Sequence, residues 1–428
     1  MSPEELEAAV KAAQSAGDTA WVLASAALVM LMTPGLALFY GGLVRPKNVL
    51  STLMHSFFIL GLISVQWVLW GYSLAFGPSI GGFIGSLSWV GLNGVGAEPN
   101  ADYAATIPHY GFMAFQMMFA IITPALITGA FAERKRFKAF VLFSLLWATF
   151  VYAPLCHWVW AGTDVGGPNE QLGWIRQLGA LDFAGGLVVH ISSGVSALVA
   201  ATVLGHRVGL GKEKMEPHDL TMTVLGAGLL WFGWFGFNAG SALGASGLAA
   251  TAFVTTNTAA AMGALAWVTV AWAHKGHPSV LGAAAGAVAG LVAITPAAGF
   301  VTPTSAILIG LGGGVVCYFA IQLREKLRVD DALDVWAVHG IGGTWGALAT
   351  GIFASAAVNP AGKDGLLYGN PGLFFTQLLT VVVAWVFCGV MTFIILKIVD
   401  AVIGLRVPEQ EEVLGLDISQ HGEPAYQL

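Results

Sequence analysis

The chain alternates between long stretches without a single Asp, Glu, Lys or Arg and short polar connections that carry nearly all the charge. The charge-free runs are 19–44, 48–97, 103–132, 139–163, 183–205, 221–274, 276–323, 335–362 and 365–396. About 20 such residues cross the hydrocarbon core as a helix, so each run predicts at least one membrane span. Runs 221–274 and 276–323 are long enough for two, with breaks expected near SALGASG (241–247) and ITPAAGFVTPTS (294–305). Run 48–97 reads as one helix followed by an outer loop, because GPSIGGFIGSLSWVGLNGVG is rich in turn-forming glycine. The pattern therefore predicts an all-α integral membrane protein with eleven transmembrane helices.

An odd number of spans puts the termini on opposite faces, and the positive-inside rule says which. With the N-terminus outside, fifteen of the eighteen Lys and Arg fall on the cytoplasmic side, and only Lys11, Arg176 and Lys363 lie outside. The expected organisation is an extracytoplasmic segment over 1–18, an eleven-helix domain over 19–403 and a polar cytoplasmic tail over 404–428. Ser2, Pro3 and Glu5 match a capping box, which predicts a short polar helix ahead of the membrane. No basic stretch followed by an apolar core marks the first eighteen residues as a signal peptide.

Composition narrows the function. With 56% hydrophobic and 10% charged residues, the chain carries more apolar surface than a soluble fold could bury. The positive residues are scattered and the net charge is -6, so no basic patch suggests nucleic acid. Cys156, Cys317 and Cys388 sit in apolar runs without CxxC spacing and read as core residues, neither disulfides nor zinc ligands. Neither HExxH nor GxSxG occurs, which argues against a hydrolase, and no cofactor is called for.

Against this apolar background, LDFAGGLVVH opens span 5 and LDVWAVHGIGG lies in span 10. Each pairs an acid with a histidine beside glycines, at a spacing of eight residues in the first (Asp182 to His190) and five in the second (Asp334 to His339). Spans 1–5 and 6–10 run in opposite directions, so the halves form an approximate inverted repeat, which places a functional site near the midplane. At 1.5 Å per residue, His190 lies roughly 12 Å below Asp182 and His339 roughly 12 Å above Asp331. Across a core about 30 Å thick the two imidazoles reach similar depth and can meet. The plain alternative is that each histidine bonds a neighbouring carbonyl. A metal site lacks ligands, since no carboxylate stands at i+3 or i+4.

DFAGGLVVHISSGVSALVAATVLGHR (182–207) resembles the signature of the ammonium transporter family, the Amt, Mep and Rh proteins. FGWFGFNAGSA (232–242) and DDALDVWAVHGIGG (330–343) resemble its later blocks, and the likeness runs from about residue 20 to GLDISQHGEPAY (415–426). The resemblance implies a homotrimer in the plasma membrane, with a narrow pore in each protomer and ammonium or ammonia, with methylammonium as an analogue, as substrate. Trp160, Phe119 and Ser241 match the outer recruitment site, with Phe115 in support and Asp182 as the acid beside it. Phe119 and Phe237 match the gate, and His190 and His339 the twin histidines of the pore. Trp160 and Ser241 favour the Amt branch over the Rh branch.

Three questions stay open at this level. Asp182 serves as an N-cap or handles protons, and an asparagine there is expected to keep the cap without the charge. By composition residues 404–428 are a solvated tail, whereas the resemblance implies packing beneath neighbouring subunits and control by a PII-type signalling protein. A passive ammonia channel and an ammonium sensor share the same pore residues with an electrogenic transporter.

Overall fold

Side-chain caps start several of the helices, at Ser2, Asp219, Ser246, Ser279 and Thr302. The computed structural model describes residues 2–163, 166–168 and 170–426, so residue 1 of the N-terminal segment and 427–428 of the tail lie outside the described residues. Helix α1 (Pro3–Leu43) opens on the expected capping box: Glu5 N donates to Ser2 Oγ, and Ser2 N to the Glu5 carboxylate. The capped turns do not form a separate polar helix. The helix is continuous through Gly17 and Asp18, so the polar N-terminal turns run straight into the first span.

The chain continues as α2 (Pro46–Phe76), α3 (His109–Phe131), α4 (Phe137–Trp160), α5 (Gly186–Leu204), α6 (Leu220–Ala242) and α7 (Gly247–Lys275). Then follow α8 (Val280–Ile294), α9 (Pro303–Lys326), α10 (Trp336–Ile341 running on into Gly342–Phe353) and α11 (Pro371–Ile403). Among the described residues, nine of these are long and apolar enough to cross a membrane. The segments expected for spans 8 and 10 carry the shorter helices α8 and α10. The two predicted breaks fall where local chemistry puts them. Ser246 caps α7 through Ala249 N, and Thr302 caps α9 through Ser305 N with Pro303 in the first turn.

The fold is mostly helical, but not wholly so. Among the described residues, three two-stranded antiparallel ribbons pair Ser79–Ile80 with Ile84–Gly85, Pro99–Asn100 with Ala104–Pro108, and Gly162–Thr163 with Gln171–Leu172. They stiffen connections that the sequence pattern reads only as loops.

Helices α5 and α10 cross at backbone contact. A Cβ on Gly194 would fall on the backbone nitrogen of Gly340, and one on Gly343 would press on the Cβ of His190. Both helices open with a wide π-helical turn that carries a histidine, Gly186–Ile191 in α5 and Trp336–Ile341 in α10. Ahead of each turn stands a buried aspartate that accepts from its free N–H groups. Asp182 Oδ2 takes Leu187 N at 2.8 Å, and Asp331 Oδ2 takes Trp336 N at 2.7 Å. The acid that matches Asp182 is thus Asp331, not Asp334, and the acid-to-histidine spacing is eight residues in both halves. Asp334 turns away to Arg324, whose Nε lies 2.7 Å from its carboxylate.

The tail is folded, with some of its residues buried and others exposed. It folds as α12 (Glu409–Leu414) and a further turn, Asp417–His421, and docks on its own chain. The Asp417 carboxylate accepts from Leu50 N and Ser51 N at the start of α2, and Leu416 N donates to Asn48 Oδ1. Glu412, 1% exposed, accepts from Val208 N and holds Arg406. Beneath it lies a buried ion network. Glu133 binds Arg45 at 3.0 Å and Arg207 at 3.1 Å, and Arg207 forks onto Asp330 at 2.8 Å. Burial works to raise the Glu133 carboxyl, but Arg207 and Arg45 outweigh it and hold the group below its ordinary 4.5.

Two outcomes follow from these contacts. Gly194→Ala is expected to cost about 1–3 kcal/mol, because the crossing has no room for a methyl group; a wild-type thermal midpoint in detergent would refute the tight crossing. Glu133 has a lowered folded pKa, so its stabilisation is complete above the ordinary carboxylate value and fades as pH falls through the lowered one. Glu133→Gln should cost about 3 kcal/mol or more near neutrality, as a broken buried pair does. The variant should then lose less than wild type on further acidification, and parallel acid unfolding curves would contradict this.

Candidate functional site

The predicted site residues converge on a line of three cavities. The first is a vestibule of about 510 Å³ whose wall includes Phe119, Gln116, Trp160, Asp182 and Ser241. Arg176 donates to the Trp160 carbonyl at 3.0 Å, and the Trp160 indole N–H donates to the Asp182 carbonyl at 2.9 Å. The residue is therefore held at its backbone and at its indole N–H, and it lines the cavity. Ser241 donates its hydroxyl proton to Phe237 O at 2.8 Å, which leaves its oxygen free to accept from an N–H donor.

Phe119 and Phe237 close the floor of this vestibule. Their ring centroids are 4.3 Å apart, and both side chains are 1% exposed. Phe119 also meets Trp160 edge-on at 5.9 Å, and Phe115 braces Phe119 from the side at 4.9 Å. Phe119 lines the first cavity and Phe237 the second, so the ring pair lies between the two.

The second cavity, of about 20 Å³, is lined by Phe237, Trp234, His190, His339 and aliphatic side chains from α1, α3, α5, α6 and α8. A water needs roughly 10–15 Å³ on this measure, so the chamber suits one molecule of that size. His190 Nδ1 lies 3.1 Å from His339 Nδ1. With both rings neutral, one Nδ1 donates and the other accepts. The remaining Nε2 atoms must then be unlike, one bare and one carrying a proton. His190 stacks under Phe237 at 6.0 Å and beside Trp234 at 5.5 Å, and its Nε2 is buried without a protein partner. His339 also lines the third cavity, about 360 Å³, which it shares with Tyr40, Trp267, Lys275 and Asp334.

Asp182 stands in the vestibule wall, but its carboxylate is committed to the backbone. Its Oδ1 accepts from Gly185 N and Gly186 N, and its Oδ2 from Leu187 N and Val188 N. Both oxygens are engaged, so the expectation that asparagine keeps the cap is corrected: an amide offers one acceptor, and its NH₂ would face two donors. Three roles escaped the sequence reading: Trp234, three residues before Phe237, as a chamber wall; Arg176, read only as an outside cation, as the partner of Trp160; and Asp331, read only as a depth marker for His339, as a cap. Each had a spacing or charge signal that motif matching alone passed over. No group of three or more His, Cys, Asp and Glu among the described residues could hold a metal.

A bundle of apolar helices with a histidine-lined chamber between two vestibules defines a multi-pass membrane protein of the transporter class. The chain belongs to the Ammonium Transporter Family, whose profile matches residues 20–426. It is 56% identical over 412 residues to the ammonium transporter of Bacillus subtilis strain 168, covering 96% of this chain and 98% of the relative. Amt1 of Archaeoglobus fulgidus is 50% identical, with 96% and 100% covered. The Saccharomyces cerevisiae Mep2 crystal structure superposes with a TM-score of 0.86 at 38% identity, covering 96% and 91%. A protein named Sensor Amt Protein gives 0.86 at 30% identity, covering 95% and 99%.

The geometry around Asp182 yields a stability prediction. Asp182→Asn should destabilise the fold by about 1–3 kcal/mol through unsatisfied N–H groups at the start of α5. An unchanged thermal midpoint would show that these four bonds contribute nothing net.

Proposed function

We propose that this protein carries ammonium across the plasma membrane by separating it into ammonia and a proton. The observation that carries the reading is the 3.1 Å Nδ1–Nδ1 contact between His190 and His339 in a chamber sized for one small molecule. All eleven helices span the membrane, N-terminus out and C-terminus in, with α1–α5 and α6–α10 as inverted halves. Three protomers assemble, each with its own pore, and the docked tail offers the cytoplasmic surface for a PII-type partner.

Ammonium and potassium ions are nearly alike in size and charge, so Coulomb attraction does not separate them. Aromatic faces at Trp160 and Phe119 attract a cation by about 0.5–2 kcal/mol. Ser241 adds an acceptor for an N–H bond that potassium lacks. Below Phe119 and Phe237 no ring of carbonyls or carboxylates replaces the hydration shell, so a bare potassium ion is stranded. The low-dielectric chamber disfavours charge, and ammonium alone can answer by releasing its proton. Ammonia then meets a bare nitrogen on one histidine and an N–H on the other. The shared Nδ1 proton lets the pair exchange these roles as a proton passes.

A sensor role has one observation in its favour, the likeness to the protein named Sensor Amt Protein. A passive ammonia channel would use the same chamber. Both are separated from the present reading by transient currents from purified protein in liposomes, pulsed with ammonium or potassium. Current with ammonium alone is expected, falling at least about tenfold when His190 and His339 are both replaced by Leu. An unchanged current in a folded variant would sink the relay. Internal alkalinisation without current would establish a gas channel, and neither signal would leave the sensor.

A further inference from the structure

Of eighteen Lys and Arg, the assigned orientation leaves only Lys11, Arg176 and Lys363 on the outer face, and two of these three line the entry vestibule. A mouth that recruits a cation would gain from carboxylates, so two positive side chains on its wall call for a physical reason. Arg176 has a structural task, since it holds the Trp160 carbonyl. Lys363 has none: it is exposed and makes no ion pair among the described residues. Its ammonium group lies against Gly179, whose φ of +79° and lack of a side chain let the lysine reach over the 178–182 connection.

The vestibule holds two other charged side chains. Asp182 has both oxygens committed to backbone N–H groups. Asp102 stands at the edge, where it also borders a separate cleft with His109. Neither is paired with Lys363.

We infer that Lys363 is a specificity-determining charge at the mouth, which screens arriving cations by valence so that divalent ions do not occupy the recruitment site. The inference rests on the reading of the vestibule as the entry for ammonium. Aromatic faces and a hydroxyl attract any cation, and a divalent ion more strongly than a monovalent one. Such an ion cannot shed its charge as ammonium can, so it would block the floor of the vestibule. The charge of Lys363 makes the potential at the mouth more positive than it would otherwise be, and its Boltzmann weight against a divalent ion is the square of that against a monovalent one. A single charge acting through water over roughly 10 Å changes local monovalent concentration about twofold, and divalent concentration about fourfold.

The test uses the full-length protein in liposomes, with ammonium-evoked current at low and high ionic strength and Mg²⁺ as the divalent probe. In Lys363→Gln at low ionic strength, half-saturation by ammonium should fall about twofold and half-inhibition by Mg²⁺ about fourfold. Lys363→Arg should match wild type, and all differences should shrink in high salt as screening sets in. Unchanged Mg²⁺ inhibition, or a shift indifferent to salt, would overturn the proposal. Trp160→Ala in the same assay separates the two readings. If it weakens half-saturation while Lys363→Gln does nothing, only the screening role falls. If it changes nothing, the entry site itself is refuted, and the screen with it.

Discussion

The contact between the two imidazoles goes with a close helix crossing: the helices that carry His190 and His339 meet at their backbones, where only the smallest side chains fit. Here Gly194 and Gly340 remove the side chains at the crossing, and Gly343 gives His190 its place. The wide turns that carry the histidines leave N–H groups without helical partners, and in lipid those cannot be left to water. Asp182 and Asp331 answer that need at opposite ends, each reaching the N–H five residues on. Histidine pair, glycine crossing and aspartate caps thus form one mechanical unit, and removing any part affects the rest.

This unit changes how the acid in the opening of α5 is understood. A carboxylate that accepts from four backbone groups is a structural anchor first. Its charge still acts on the vestibule through the field, but transport lost on substitution does not by itself assign it a proton-handling role. The face that carries the tail follows the same logic on a larger scale. Glu133 adopts φ +71°, a conformation costly for a residue with a side chain, and two arginines hold it there. Arg207 ties that bend to Asp330, next to the cap of α10, while Glu412 and Asp417 lay the tail over it. The tail therefore rests on loops that lead directly to α2, α4 and α10.

Much of this was legible from the chain because the membrane penalises charge residue by residue. Every charge-free run holds its helix or helices, and the two interior breaks fall at capping residues that local sequence already displays. The Phe119, Phe237, Trp160, Ser241, His190 and His339 cluster was legible through motif likeness and its burial was not. What sequence concealed depends on tertiary choice. Asp330, Asp331 and Asp334 are alike on paper, and only the backbone turn at φ +60° sends Asp334 to Arg324 and leaves Asp331 to cap. The tail looked solvated because its partners are backbone N–H groups more than 360 positions away. The outer ribbons are too short to display an alternating pattern.

The narrowness of the chamber and the choice of substrate are one constraint seen twice. Close helix crossing leaves a space of about 20 Å³, which excludes a hydrated ion whatever its identity. Exclusion on size alone would also exclude ammonium, which as an ion is no smaller than potassium. On the proposed mechanism, the solutes that pass are those able to become neutral before they enter, so the selective step is chemical and steric tightness makes chemistry decisive. A wider crossing would then admit hydration water and remove the advantage of the paired histidines. Under that proposal the glycines of α5 and α10 contribute to selectivity, although no atom of theirs needs to touch the solute.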